Sequence, residues 1–389
     1  MPDTRTQQLG TILDIIAEEL DIPDATYADI VAKYEHLGAW IKADSEEKFR
    51  TDSEIYPQGS IRLGTIIRPV KNGDEYDVDL VYRRELAKTG VTQEELKTQA
   101  GEQLNRYLDH LKRVGREVPE LESGRRCWTL NFKRQFHMDV LPAIPDDEAA
   151  ANNLRDVDDG ILITDRELHE WQPSNPKGYA KWFGERQKVI LMERRAILAK
   201  AAKVDVEAIP ESQVKTPLRR VVQALKRHRD LRYAGHPDDK PISIIITTLA
   251  AKAYENQPDF HDALLAVVGS MSSGIEKRDG VYWVANPVNP KENFADKWKA
   301  EPERAKRFFE WVGQLTADIA KAQQQTGMQK LAESLEPVFG KEILAKSMER
   351  YGRQMDAAHQ SGALRMASKT GTLGAIGAVV GNNTWYGEK

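Results

Sequence analysis

Asp77 and Asp79 stand two residues apart in YDVDLVY, and a third acid, Asp139, stands in FHMDVLPAI. In an extended chain successive side chains alternate, so Asp77 and Asp79 leave one face together while Val78 and Leu80 leave the other. All three acids sit among Val, Leu, Ile, Met and aromatic residues, where strand propensity favours an uncharged side chain. A carboxylate buried there is costly unless a cation or hydrogen-bond donors answer it. Upstream, Gln58-Gly59-Ser60 forms a turn that can offer backbone N–H groups and a hydroxyl to phosphate oxygens. Hard oxygen ligands beside a phosphate cradle suit Mg2+, or Mn2+ in its place. Two such ions about 3.5–4 Å apart suit in-line displacement at phosphorus. Asp77 and Asp79 would bridge both ions, and Asp139 would hold the second and help accept the proton of an attacking hydroxyl. The competing account is that Asp-x-Asp is a solvated turn and that the acids are edge positions facing water.

The elements that must position these residues follow from periodicity. Residues 5 to about 45 carry apolar residues at helical spacing, broken at Ile22-Pro23. Ile61 to Arg68 and Tyr76 to Tyr82 read as two strands, joined by the turn Lys71-Asn72-Gly73-Asp74. A helix is expected over 92–115. Trp128 to Phe132 and Phe136 to Leu141 alternate around Lys133-Arg134-Gln135, a second hairpin. Residues 146–178 are polar and rich in turn formers, a long connection. Helices are expected over 178–203, 215–233, 241–256, 257–271, 300–325 and 330–350. The outline is α+β, with an N-terminal helix and a sheet-bearing lobe over 1–178, a helical lobe over 179–370, and a flexible glycine-rich tail over 371–389.

Composition narrows the class. The chain has 389 residues and a net charge of −4, so contact with phosphate must come from local basic patches. A single cysteine, Cys127, excludes an intramolecular disulfide and a cysteine metal cluster, and suits a reducing cytoplasm. MPDTRTQQLG lacks the features of a secretory signal, and no apolar run is long enough to span a membrane. A cytoplasmic protein is expected. Within 215–233, Leu218, Val221, Val222 and Leu225 form an apolar stripe. Lys215, Arg219, Arg220, Lys226, Arg227, Arg229 and Arg232 crowd the remaining surface, which reads first as a solvated basic face.

Taken together, QGSIRLGT, YDVDLV and FHMDVLPAI resemble the signature of polymerase-β-type nucleotidyltransferases, in the form carried by the bacterial cGAS/DncV-like nucleotidyltransferases, or CD-NTases. TPLRRVVQALKRHRD (216–230), KPISIIITTLAAKAY (240–254) and VYWVANPVNPKENFADKW (281–298) are similar to further blocks of that family, so the resemblance spans nearly the whole chain. It implies a polymerase-β-like core, a small mixed sheet with helices, plus a helical C-terminal lobe, with the active site in the cleft between them. It implies that Gln58, Gly59 and Ser60 bind nucleotide, that Lys226 reaches the donor triphosphate, and that Ser243 hydrogen-bonds the same phosphates. Asn286, Asn293 and Trp298 are expected to be structural, and His137 a neighbour of Asp139 outside the metal shell. Arg62 and Thr65 could line the nucleotide pocket.

The activity so implied joins two or three nucleoside triphosphates (ATP, with GTP or others) into a cyclic second messenger and releases pyrophosphate. The setting is antiphage (CBASS-type) signalling, with a separate effector that senses the product. Within the enzyme class the rival is a linear oligonucleotide synthetase or an AMP transferase. Outside it, the rival is a nucleic-acid-binding module using the basic face of 215–233, although no nucleic acid is obligatory. The terminal Asn383-Thr384-Trp385-Tyr386-Gly387 resembles tails that ubiquitin-like E1–E2 machinery conjugates, which makes Trp385, Tyr386 and Gly387 a conjugation motif by likeness.

Overall fold

The computed structural model describes residues 4–44, 52–71, 73–133, 135–148, 159–164, 171–209, 211, 214–325, 327–366, 373–374 and 378–380. The N-terminal helical signal divides at Pro23 into α1 (Thr4–Glu19) and α2 (Asp24–Ala43). There follow β1 (Ser53–Pro57), the short helix α3 (Gly59–Leu63) and β2 (Tyr76–Arg84). The long helix α4 (Gln93–Arg113) starts from a capping box in which Thr92 and Glu95 satisfy each other's backbone donors. β3 (Glu120–Ser123), β4 (Trp128–Phe132) and β5 (Phe136–Pro145) come next, then β6 (Ile161–Ile163) and β7 (Gln172–Ser174). Helices dominate the remainder: α5 (Pro176–Glu185), α6 (Lys188–Ala202), α7 (Pro217–Arg232), α8 (Ser243–Ala253) and α9 (Phe260–Ser270). After the hairpin β8 (Glu276–Arg278) and β9 (Val281–Trp283) come α10 (Pro302–Gln324), α11 (Met328–Phe339) and α12 (Lys341–Gln360). β10 (Arg365–Met366) pairs with both β11 (Leu373–Gly374) and β12 (Ala378–Val379).

Two compact units emerge. One comprises Met1–Asp21, Thr216–Ile275 and Lys297–Lys389; the other comprises Ile22–Lys215 and Glu276–Asp296. The chain therefore crosses between units after α1, which packs on α12, α9 and α7 of the first unit. The sheet of the second unit runs β1-β2-β5-β4-β3, with β6 paired to β5 and β7 to β6. Its central pair, β2 and β5, is parallel, while β1–β2 and β4–β5 are antiparallel. Val78, Leu80, Tyr82, Met138 and Val140 leave one face and pack with Ile30, Leu37 and Ile41 of α2 and Leu104, Tyr107, Leu108 and Leu111 of α4. Gly101 of α4 lies directly over the Trp128 ring, where a Cβ would collide with it. The other face carries Val81, Ala143, Tyr56, Ile161 and Ile163 along part of its length.

Two expectations are corrected. Residues 61–68 are not a strand paired to 76–82. Both edges of β2 are taken, by β1 and by β5, so the segment closes locally instead, with Thr65 N–H donating to Ser60 O at 2.9 Å. The polar stretch 146–178 contributes β6 and β7 and the start of α5. In the glycine-rich segment from 371, the described residues 373–374 and 378–379 are paired strands. No helix among the described residues is long and apolar enough to cross a membrane.

α7 is buried along nearly its whole length, so its charges cannot form a solvated face. Arg220 donates to Ala17 O and pairs with Asp21 at 2.7 Å, and Arg227 Nε donates to Phe339 O at 3.0 Å. His228, 2% exposed, accepts from Trp311 Nε1 at Nδ1 (2.9 Å) and faces Asp318 Oδ2 from Nε2 at 3.1 Å. An indole can only donate, so Nδ1 is unprotonated and Nε2 carries the proton toward Asp318. A second proton on Nδ1 would meet the indole N–H. Burial holds the His228 pKa below its ordinary value, against the pull of Asp318. The unfolded chain thus binds a proton near pH 6.5 that the fold resists. The stability due to neutral His228 is full above about pH 6.5 and is lost as pH falls through the lower folded value. Urea unfolding from pH 8 to 5 should show wild-type stability falling below pH 6.5 by up to about 1.4 kcal/mol per unit more than in His228→Asn. Equal slopes in both proteins would refute this assignment.

Candidate active site

The parallel register of β2 and β5 sets Asp77 opposite His137 and Asp79 opposite Asp139. Asp77, Asp79 and Asp139 each offer a carboxylate oxygen, and these atoms all lie within 4.8 Å of one another. The strand alternation that sends Val78 and Leu80 into the core sends these acids to the opposite face. Asp77 is exposed; Asp79 and Asp139 are half-buried. Three hard oxygen donors so gathered, with two of them withdrawn from bulk water, fit a divalent cation.

The glycine turn belongs to the same site. Gln58 N–H donates to Asp79 O at 2.9 Å, which ties the turn to β2. Gly59 has φ +57, and a Cβ there would lie 2.5 Å from Asp79 Oδ2. Glycine is thus required twice, by the backbone conformation and by the carboxylate resting against it. Ser60 follows, half-buried, in the first turn of α3. Thr65 is fully buried and closes this turn, so it does not line an open pocket. Arg62 lies 5.9 Å from the Tyr56 ring centroid, and Lys177, paired with Glu54, lies 4.4 Å from the same centroid.

His137 approaches Asp77 at 3.4 Å and Glu75 at 3.6 Å. Its hydrogen bond with Asp77 holds its pKa above the ordinary histidine value despite partial burial. It is a neighbour of the acids, as expected. Two partners of Asp139 escaped the reading of the sequence. Thr129 Oγ1 donates to Asp139 Oδ1 at 2.6 Å, fixing the carboxylate's orientation from β4. Cys127 lies close enough that burial, then the charge of Asp139, pushes its thiol up to about 11, leaving it protonated at neutral pH. The signal for Thr129 was present: a three-residue loop between Phe132 and Phe136 pairs residue 129 with 139.

Lys226 and Ser243 belong to the first unit, whereas the acids and the glycine turn belong to the second. Lys226 is buried in α7, at 6% exposure, and Ser243 is exposed at the start of α8. The asparagines of 281–298 are turn brackets. Asn293 Oδ1 accepts from Val284 N and Ala295 N at 2.8 and 2.9 Å, and Asn286 Oδ1 accepts from Val288 N at 3.0 Å. Trp298 packs on Phe308 and Phe309. Trp385, Tyr386 and Gly387 lie outside the described residues.

Thr129→Val keeps the shape of the side chain and removes the donor to Asp139. Ligand-orienting partners of this kind are worth about 10–100-fold in metal affinity. Mn2+ titration should show a loss in that range with the thermal midpoint little changed; wild-type affinity in the variant would refute the role of Thr129.

Residues 10–187 match the family model described as the Second Messenger Oligonucleotide or Dinucleotide Synthetase domain. The chain is 29% identical over 388 residues to the c-di-GMP synthase of Roseivirga ehrenbergii, with 98% of each protein covered. Its fold is similar to that of the Bradyrhizobium diazoefficiens CD-NTase CdnG in complex with GTP (TM-score 0.65, 22% identity, 87% of this chain and 97% of that one). It is also similar to the Vibrio cholerae DncV cyclic AMP-GMP synthase (TM-score 0.51, 12% identity, 87% of this chain and 88% of that one). The three clustered aspartates and the Gly-Ser turn beside them thus lie within the stretch that matches the synthetase domain, in a chain whose fold is that of the CD-NTase structures.

Proposed function

We propose that this protein is a divalent-metal-dependent nucleotidyltransferase that joins nucleoside triphosphates, GTP among them, into a cyclic dinucleotide and releases pyrophosphate at each step. One observation carries the reading: Asp77, Asp79 and Asp139 converge within 4.8 Å on the sheet face where Gly59 abuts Asp79. The relative from Roseivirga ehrenbergii, a c-di-GMP synthase along its full length, supports GTP as a substrate.

Mg2+ held by Asp77, Asp79 and Asp139 would neutralise the triphosphate and acidify the attacking ribose hydroxyl. The rest of the chemistry falls to the chain. The backbone of Gly59 and the Ser60 hydroxyl hold phosphate oxygens of the donor, and Lys226 and Ser243 hold the same triphosphate. Asp139, with one oxygen already engaged by Thr129, receives the hydroxyl proton at the other. After the first transfer, the linear intermediate re-enters the same site with its own triphosphate as donor. Positioning and charge neutralisation carry most of the rate. The product is a second messenger read by a separate effector in antiphage defence, and its nucleotide precursors set the reaction in the cytoplasm.

The basic residues of α7 do not favour the nucleic-acid-binding alternative. Arg220, Arg227 and Arg229 are buried and engaged by protein oxygens, which takes them from the charge available to a phosphate backbone. Incubating the protein with labelled GTP, ATP and Mg2+, then with phosphatase, should leave a resistant product. Asp77→Ala/Asp79→Ala should reduce its yield by at least about 1,000-fold, as expected when charge stabilisation at the reacting phosphorus is lost. A phosphatase-sensitive product would mean linear synthesis, and an equally active double variant would sink the assignment of the acids.

A further inference from the structure

Ser243 begins α8 with its side chain exposed, and its Oγ receives a hydrogen bond from Arg229 Nη1 at 2.7 Å. A guanidinium has five donors, no acceptor, and a charge it keeps at any physiological pH. Oγ is therefore the acceptor in this pair, and the hydroxyl proton must point away from Arg229. The guanidinium is itself immobilised. Nη1 also donates to Pro241 O at 3.1 Å, while Nε and Nη2 close on Asp230 Oδ1 at 2.9 and 2.8 Å. Its side chain is only 6% exposed. At the start of α8 the N-cap is Ile242, which makes no side-chain cap. The hydroxyl of Ser243 is thus left to donate away from Arg229, at a helix start where the dipole favours negative charge.

We infer that Arg229 is the positioning residue for Ser243: it biases the hydroxyl toward donating to the donor triphosphate and does not touch the nucleotide. This rests on the reading of Ser243 as a phosphate ligand. A serine free to rotate would spend part of its time presenting a lone pair to the phosphate, which repels it. The bond from Arg229 occupies one lone pair and bars the proton from that direction, which raises the share of time the proton faces the phosphate, so the gain appears in nucleotide binding and passes through Oγ. Lysine, also a pure donor, can keep the same polarity.

The test is a double-mutant cycle on KM for GTP and kcat, measured by pyrophosphate release with Mg2+ present, with thermal unfolding of every variant. Loss of a hydrogen bond to a charged phosphate should make Ser243→Ala raise KM by roughly tenfold or more with kcat less affected. Arg229→Met should raise KM in the wild-type background and add less than about twofold in the Ser243→Ala background, because the two act as one unit. Arg229→Lys should recover most of the loss. Should Arg229→Met not fold, Arg229→Gln takes its place in the cycle. An Arg229 effect of the same size with and without Ser243 would overturn the inference while leaving Ser243 as a ligand. Unchanged KM in Ser243→Ala would instead remove the reading of Ser243 and the inference with it.

Discussion

The parallel ladder between β2 and β5 is the constraint from which the candidate site follows. Its register sets Asp79 against Asp139 on one face, and the same alternation sets Val78, Leu80, Met138 and Val140 on the other, beneath α2 and α4. One periodicity builds both the core and the site. A slip of one residue would bury the acids and expose the valines and leucines, so the hydrophobic core itself enforces the geometry of the carboxylates. The glycine turn is bound into the same arrangement through Gln58 N–H and the contact of Gly59 with Asp79. Three like charges held this close oppose folding unless something of opposite sign is bound. Such arrangements are retained where they serve a function.

The first unit buries its charge most densely along one helix. α7 carries a dense run of cations into its interior, and buried carbonyls and carboxylates answer them: Ala17 and Asp21 for Arg220, Phe339 for Arg227, Pro241 and Asp230 for Arg229. The helix is thereby a polar hub around which α1, α8, α9 and α11 pack. Neutral His228 completes it by linking α7 to α10 through Trp311 and Asp318. Buried cations in both units are satisfied by protein, whereas the three carboxylates cluster with Asp77 exposed.

Legibility in the sequence followed the range of the interactions involved. Asp77, Asp79 and Asp139 were readable because period-2 alternation is local, and so was the hairpin of β4 and β5, whose short loop fixes its register. Helix positions were largely readable for the same reason. The parallel pairing of β2 with β5 was not, because it depends on a crossover through α4 and two further strands. β1 was missed: SEIYP is short and carries one proline, and only its partner makes it a strand. Residues 61–68 carry a strand-like pattern but find no open sheet edge. α7 misled for a different reason. Its pattern is that of a half-buried helix, and nothing local shows that packing covers every side. The likeness to CD-NTases supplied Lys226 and Ser243, which composition and spacing alone would not have singled out.

The central claim is that the three aspartates form one cation site for nucleotidyl transfer. Its most direct test is Mn2+ binding followed by electron paramagnetic resonance in the presence of a non-hydrolysable GTP analogue. The account predicts two ions bound per wild-type chain with the nucleotide. It also predicts that Asp79→Asn/Asp139→Asn, although folded, loses this binding. A variant that bound Mn2+ as tightly and in the same number as wild type would contradict it.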